Sequence, residues 1–303
     1  MPSTERAAPF RELADGACGI RVLVVGAGSP NADFVAQVLR ESGFLADWTD
    51  ELKFPNPFRL RRYDVIYGIY LQSCSRNILL GKLLGKKTIL HFVGSDAYWY
   101  ARELSTWRRI YWKTTLRLTD LILYVSPHLI EFIGRKGTTL PFPIGIHQFN
   151  VPAPLEVQPE RDVLYYCPSG EANERIYRLA WIVNYARDHP DLKITIIGNQ
   201  AHPAGYEIPL PNVQVIPFVL QSEMSVLYRR HRRLIRMTVE DGLPRMIHEA
   251  VLVGMEVIYN GKPVFEVPPE RDPIEFAKSF EKALASVYVK KRSSQFCSRG
   301  WHA

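Results

Sequence analysis

Long apolar runs, paired cysteines and metal-ligand spacings are all missing from this 303-residue chain. No stretch approaches the roughly 20 apolar residues that a membrane-crossing helix needs, so a spanning protein is not expected. No apolar signal-peptide core follows Met1, and residues 1–18 read as a poorly ordered extension. The four cysteines, Cys18, Cys74, Cys167 and Cys297, form no Cys-x-x-Cys pair and keep no Cys/His spacing. That excludes zinc and a disulfide framework, and fits a reducing cytoplasm. There is no internal repeat and no low-complexity segment, which leaves ordinary globular domains. Hydrophobic content of 47% and charged content of 23% suit such domains, and 303 residues suffice for one large domain or two. The net charge of +7 favours anionic partners: nucleotide phosphates, a lipid surface or nucleic acid.

Strand and helix signals alternate along the chain, the pattern of an α/β fold. Ile20 to Val25 is a buried strand by its β-branching. The turn Gly26-Ala27-Gly28-Ser29-Pro30-Asn31 follows, then a helix to about Glu41. A glycine-rich turn there lets phosphate or sugar approach the backbone. A dinucleotide fingerprint needs a third glycine where Asn31 stands, so an oxidoreductase lacks its motif, and a plain tight turn explains the glycines equally well. Strands are expected at Asp64–Tyr67 and Thr88–Phe92, with a helix over Ser73–Leu84 between them. His91 and Asp96 then fall at or beyond a strand's carboxyl end, where open α/β sheets bind ligands; Asp96 also suits a helix cap. Runs at Leu121–Val125 and Leu140–Ile144 complete a first domain, and Pro141, Pro143, Pro152 and Pro154 mark a linker.

Helical spacing over Arg102–Leu118 places Leu104, Trp107, Tyr111, Thr114 and Leu118 on one face, beside an Arg109, Lys113, Arg117 stripe. That mixture suits a membrane interface, and equally a solvated face with snorkelling arginines. The second half starts with a strand at Asp162–Cys167 and a helix over Glu174–Asp188. Further strands are expected at Lys193–Ile197 and Pro211–Phe218, and a short helix at Gln221–Arg230. The cluster Arg229 to Arg233 has no aromatic stacking platform beside it and reads as a solvated helix end, so nucleic acid is not an expected partner. Pro273–Tyr288 reads as a final helix with Phe276, Phe280, Ala283, Leu284 and Val287 on one face.

The chain is organised around Arg233–Asn260. An apolar run (Leu234 to Met237) leads into a polar turn, Thr238-Val239-Glu240-Asp241-Gly242. A helix is expected from Pro244, stopping at Gly254, and a strand over Glu256–Tyr259. The helix is apolar on most sides yet holds Glu249, seven residues beyond Asp241. A helix N-terminus between two acids could seat a sugar phosphate; a turn aspartate and a paired glutamate explain the same spacing.

Taken together these segments resemble glycosyltransferase family 4, the retaining enzymes of the GT-B fold, over roughly residues 20–285. The resemblance rests on the Gly26–Asn31 turn and on His91-Phe92-Val93-Gly94-Ser95-Asp96. It rests further on Val125-Ser126 with the later Gly145-Ile146-His147, and most specifically on Asp241-Gly242-Leu243-Pro244 through Glu249-Ala250 to Gly254. It implies two Rossmann-like domains facing each other across a cleft. An acceptor-side domain would cover 19–152, a nucleotide-sugar domain 153–268, and 269–303 would be a helix packing back on the first. Glu249 would bond the ribose hydroxyls, Asp241 would lie near the donor sugar, and the backbone at Gly242 and Leu243, ahead of Pro244, would face the sugar or diphosphate. Gly28, Ser29 and Asn31 would line the donor or acceptor, and His91 and Asp96 would stand near the transferred sugar.

One departure matters. The family usually has an arginine and then a lysine after the first strand of the second domain, to neutralise the departing diphosphate. Here that stretch runs Cys167-Pro168-Ser169-Gly170-Glu171-Ala172-Asn173-Glu174-Arg175. Arg175 is the candidate cation, with Arg236 or Arg245 as the second. The resemblance therefore implies a metal-independent, retaining hexosyltransferase without a cofactor, in the cytoplasm or peripheral on the inner face of a membrane. Its partners would be a nucleotide-sugar and a hydroxyl acceptor; separately, the Trp/Arg/Lys composition of the 102–118 helix suggests an anionic membrane surface as a further partner. The competing readings are a sugar-nucleotide epimerase of the same fold and a non-catalytic GT-B binding protein.

Overall fold

The computed structural model describes residues 19–26, 30–50, 55–144, 159–168, 170–198, 208–216, 219–220, 223–239, 241–242 and 244–296. Two compact units result: residues 1–143 with 269–303, and residues 144–268.

The first unit is built on β1 (Arg21–Val25), β2 (Leu45–Thr49), β3 (Val65–Ile69), β4 (Lys87–Phe92), β5 (Leu121–Tyr124) and a two-residue β6 (Thr138–Thr139). They lie in the order β2-β1-β3-β4-β5-β6, every pair parallel, with Val22 opposite Ala46 and Val65 and Phe92 opposite Tyr124. β3 and β5 are buried at every position, as parallel strands covered on both faces must be. The covering helices are α1 (Pro30–Glu41), α2 (Pro57–Leu60), α3 (Leu71–Leu83), α4 (Ser95–Arg102), α5 (Thr106–Leu118) and α6 (Leu129–Ile133). The expected run at Leu140–Ile144 is buried but is not a strand. Pro141 and Pro143 have no N–H to give a ladder, so pairing stops at Thr139 and the Leu140 N–H closes onto the Tyr124 carbonyl at 2.7 Å.

Gly26 ends β1 for a steric reason. A Cβ there would lie 2.8 Å from the Ala32 Cβ, so the turn lets α1 press against the strand.

In the second unit β7 (Arg161–Tyr166), β8 (Ile194–Ile197), β9 (Val213–Ile216), β10 (His231–Arg236), β11 (Glu256–Tyr259) and β12 (Lys262–Val264) lie in the order β12-β11-β10-β7-β8-β9. All pairs are parallel except the edge hairpin β11–β12. That hairpin turns on Asn260 and Gly261, both at positive φ (47° and 78°), the conformation an Asn-Gly turn supplies. The helices are α7 (Glu171–Ile176), α8 (Leu179–Asp188), α9 (Met224–Arg229) and α10 (Arg245–Leu252).

Three expectations are corrected here. The single helix over Glu174–Asp188 is two, broken at Tyr177–Arg178 where Arg178 is left-handed at φ 49°. The Tyr165 hydroxyl donates to the Tyr177 carbonyl at 2.6 Å and holds the break. The Arg229–Arg233 cluster is not simply a helix end: β10 begins inside it, at His231. His231 is buried and bonded to Thr195 (2.7 Å), while Arg230, Arg232 and Arg233 face Glu160, Asp162 and Glu256. Pro244 is the residue before α10 and has extended backbone, rather than its first helical position. At the other end α10 stops as read: Gly254 takes φ 80° and donates to the Val251 carbonyl.

The chain then returns to the first unit. A short 3-10 turn (Pro269–Arg271) leads to α11 (Pro273–Phe296). Phe280 packs edge-on against Phe44 (centroids 5.6 Å apart) and stacks on Tyr67 (5.3 Å). The buried Arg271 donates to the Phe142 carbonyl at 2.8 Å.

Candidate functional site

Strand order in the second sheet reverses between β7 and β10, the first strand and its neighbour across the crossover. Open α/β sheets bind ligands outside the carboxyl ends of strands at such a point. The residues there are Tyr166 at the end of β7 and Arg236 at the end of β10.

Arg236 is buried, and its surroundings account for that. Its Nε and Nη2 donate to Asp241 Oδ2 at 2.9 and 2.5 Å, and its Nη1 lies 2.9 Å from Met246 Sδ. Its guanidinium lies 4.8 Å from the Tyr166 ring centroid and 5.0 Å from that of Tyr177. Burial alone would favour a neutral side chain; Asp241 outweighs it and raises the pKa, so Arg236 stays charged. Tyr177 reaches the guanidinium because of the break between α7 and α8, and the Val239 N–H donates to the Ile176 carbonyl at 2.9 Å to tie the two loops together. Burial raises the pKa values of Tyr166 and Tyr177, so both rings present neutral phenols.

Asp241 uses its other oxygen locally: Oδ1 accepts the Gly242 N–H at 2.9 Å. Pro244, the residue before α10, has no side chain that caps it, and a helix start of this kind can seat an anion at its N–H groups and positive dipole end. Along the same helix the buried Glu249 accepts from the Tyr228 hydroxyl on Oε2 at 2.9 Å, with Arg245 Nη2 3.5 Å from Oε1. Burial, then the neighbouring carboxylate, raises the Tyr228 pKa well above its usual range, which keeps that hydroxyl a donor. The arrangement holds a fixed carboxylate, a helix start behind Pro244 and a clamped loop at the carboxyl end of the sheet. It can accept hydroxyl donors and seat an anion.

Of the sequence candidates, Asp241, Gly242, Pro244, Arg236 and Glu249 come together here. Arg175 stands exposed on α7, two residues before Tyr177. Leu243, Gly28 and Ser29 lie outside the described residues, and Asn31 lies in the first turn of α1. Tyr166, Tyr177 and Tyr228 were not read from sequence, because tyrosines 11 and 62 residues beyond Tyr166 carry no spacing signal.

His91 and Asp96 belong to the first unit, and both are fully enclosed. Asp96 Oδ1 accepts the N–H groups of Val93, Gly94 and Ala97 at 3.0–3.1 Å, and Oδ2 accepts that of Leu71 at 3.2 Å. It therefore knits the loop after β4 and caps α3, whose preceding residue, Tyr70, sits at φ 66°. Burial pushes its pKa up to about 6 against those four bonds. His91 Nδ1 lies 2.6 Å from the Tyr67 hydroxyl, and burial lowers its pKa to about 3, so the ring is neutral at neutral pH. In this structure Asp96 has its oxygens engaged by backbone and so holds the loop after β4, while the enclosed His91 pairs with Tyr67 on β3.

Among the described residues, no three His, Cys, Asp or Glu side chains are grouped to hold a metal, and no helix is long and apolar enough to cross a membrane.

The site and the two sheets together define a class. This is the GT-B fold, an α/β architecture of two Rossmann-like domains. No family model and no curated protein matches the sequence. Solved structures do match in shape. Sucrose-phosphate synthase from Thermosynechococcus elongatus superposes with a TM-score of 0.57 at 12% identity, over 89% of this chain and 90% of that one. Anabaena HepE in complex with UDP-glucose gives 0.53 at 12% identity, over 89% and 91%. UDP-N-acetylglucosamine 2-epimerase from Rickettsia bellii gives 0.50 at 9% identity, over 78% of each chain. Two of these neighbours are glycosyltransferases and the third is an epimerase; at such identities the likeness is one of fold.

Proposed function

We propose that the chain is a retaining, metal-independent glycosyltransferase of the family 4 type, moving a hexose from a nucleoside diphosphate sugar to a hydroxyl acceptor. The observation that carries the reading is Asp241 just before the start of α10 and Glu249 within it, at the switch point of the second sheet. HepE, crystallised with UDP-glucose, supports a nucleotide-sugar as the donor.

In this reading Glu249, steadied by Tyr228 and Arg245, accepts the ribose hydroxyls, and a buried carboxylate is a strong acceptor for two donors. The backbone from Gly242 through Leu243 to Pro244 meets the diphosphate, and Asp241 faces the donor sugar. Arg236 holds Asp241 and the loop in place, since its charge is already matched. Neutralising the departing diphosphate falls to Arg175, with Arg245 at the helix start beside it as second cation. The leaving phosphate itself accepts the acceptor proton, so no protein base is assigned. Asp96 and His91 stand on the first-unit side, near the transferred sugar or the acceptor, where Asp96 positions the loop after β4. Gly28, Ser29 and Asn31 supply the corresponding loop of the first unit. The acceptor is a glycan, a small molecule or a lipid-linked hydroxyl, and the protein works in the cytoplasm, peripheral on a membrane in the last case.

The test is calorimetry with UDP, GDP and ADP, followed by donor turnover with the product anomer read by NMR, with and without chelator. Expected are binding of one nucleotide, a retained anomer and no effect of chelator. No binding to any nucleotide leaves a non-catalytic GT-B protein. Epimerised sugar nucleotide formed without acceptor supports the second reading, which the epimerase neighbour keeps open.

A further inference from the structure

The stretch 102–118 was read as one helix suited equally to a membrane interface and to a solvated face. The structure divides it, α4 ending at Arg102 and α5 starting at Thr106. Its buried side chains are Trp112, Thr115 and Leu116. Leu104 and Trp107, read as part of an apolar face, are 91% and 82% exposed. Trp99 on α4 and Ile110 on α5 are also more than half exposed, at 67% and 51%. Four large apolar side chains thus stand out from twelve consecutive residues, at the corner where α4 turns into α5.

The charges around this corner are predominantly positive, and the one acid, Glu103, faces Arg108 at 3.6 Å. Between residues 99 and 118 there are five basic residues and one acid. The acid, Glu103, is turned inward: its Oε1 accepts the Ser105 N–H at 2.8 Å and its side chain is 12% exposed. Arg102, Arg109, Lys113 and Arg117 are all exposed. Along the outer face of α5 the sequence runs from Trp107 and Ile110 to Lys113 and Arg117, so the apolar end is the N-terminal tip and the basic end lies further along the shaft.

We propose that this corner docks on an anionic lipid bilayer, with Leu104, Trp107 and Trp99 entering the interface and Lys113 and Arg117 lying over the headgroups. Tryptophan settles at membrane interfaces, and aliphatic side chains gain by entering acyl chains. Basic side chains a few residues behind are drawn to anionic headgroups, each contributing separately. Single-stranded nucleic acid would stack on Trp99 and Trp107 but leave the exposed aliphatic side chains of Leu104 and Ile110 in water, whereas a bilayer takes up all four. The corner lies wholly within the first unit, so the proposal stands apart from the donor chemistry.

The experiment uses the full chain with vesicles of phosphatidylcholine alone or with about a third phosphatidylglycerol, at low and raised salt. Binding is read by flotation and by quenching of tryptophan with brominated acyl chains. Expected is binding to anionic vesicles only, weakened by salt, with quenching lost in Trp99→Ser/Trp107→Ser. Lys113→Glu/Arg117→Glu should weaken binding by more than tenfold, from roughly fivefold for each charge removed. Leu104→Ser/Trp107→Ser should abolish flotation while donor nucleotide binding and the melting curve stay as in the parent. The proposal is overturned if the parent stays with the unbound fraction at low salt. It is also overturned if the charge and apolar variants float like the parent, or if a single-stranded RNA binds and anionic vesicles do not.

Discussion

Changing Asp241 to Asn keeps the shape of the side chain and removes the charge that faces Arg236. The two side chains are 5% and 15% exposed, so solvent does little to screen the loss. Two hydrogen bonds, 2.9 and 2.5 Å long, converge on one carboxylate oxygen. Removing one partner of a buried ion pair costs about 3–5 kcal/mol, because a charge is left without its counter-charge. The Tyr166 and Tyr177 rings remain beside the guanidinium, and each cation–π contact is worth about 0.5–2 kcal/mol, which places Asp241→Asn at the lower end, about 3 kcal/mol. Arg236→Met should cost less, about 2 kcal/mol, since Asp241 keeps the Gly242 N–H and can turn towards water. The double variant should cost less than the sum, with a coupling of about 2–3 kcal/mol. Urea unfolding followed by Trp181, which stacks near Tyr165 in the same unit, reads these values. UDP calorimetry adds a functional arm. If Arg236 served the diphosphate, Asp241→Asn would free it and tighten UDP binding; as the holder of the loop, its loss of partner should weaken binding. A cost under about 1 kcal/mol together with tighter UDP binding would refute the pairing as the basis of the site.

Other expectations follow from the same contacts. Tyr228→Phe removes a donor from buried Glu249 and should weaken UDP affinity by roughly tenfold, at about 1–3 kcal/mol in stability; unchanged calorimetry would separate Glu249 from the ligand. Gly26→Ala should destabilise the first unit by about 1–3 kcal/mol through the Ala32 clash and leave UDP affinity unchanged, whereas a phosphate-binding turn would lose it. His91 titrates near 3 in the fold and near 6.5 when unfolded, so the unfolded chain takes the proton first. Its contribution is full above pH about 6.5 and is lost as pH falls towards 3, about 3 kcal/mol between about pH 7 and about pH 4. Asp96, raised to about 6, runs the other way, contributing most below about pH 4. The difference in urea stability between the parent and His91→Phe across that range therefore isolates the histidine, and a flat difference would contradict its burial as a neutral ring.

Strands were legible where β-branched runs are buried on both faces, as in Val22–Val25 and Ile194–Ile197, because a parallel sheet demands that composition. The stop of α10 was legible because Gly254 fills a left-handed position few residues accept. What escaped the sequence was convergence. Tyr166, Tyr177 and Tyr228 meet the two acids and Arg236 only through the crossover that brings β7 beside β10. The break at Arg178 escaped too, since its cause, the Tyr165 hydroxyl, lies a dozen residues away in sequence. His231 shows the reverse error: a charge cluster reads as solvated, yet its histidine starts a central strand because Thr195 waits opposite. The Asn260-Gly261 pair did carry a local hairpin signal, unused beside the stronger helix pattern before it.

Residues 144–268 are inserted into a unit that begins before them and ends after them. A ribosome delivers every strand of the first sheet early, but the helix that covers Phe44 and Tyr67 arrives only after the whole insertion has been made. At ordinary elongation speeds that interval is on the order of 10 s. The inserted sheet can close during that time, since all its strands are local to it. The first sheet cannot, and it meets the cell with an aromatic seam uncovered until Phe276 and Phe280 emerge. The last helix therefore governs the order of maturation: a chain cut short before Pro273 would hold a finished second domain beside a first one that chaperones must shield.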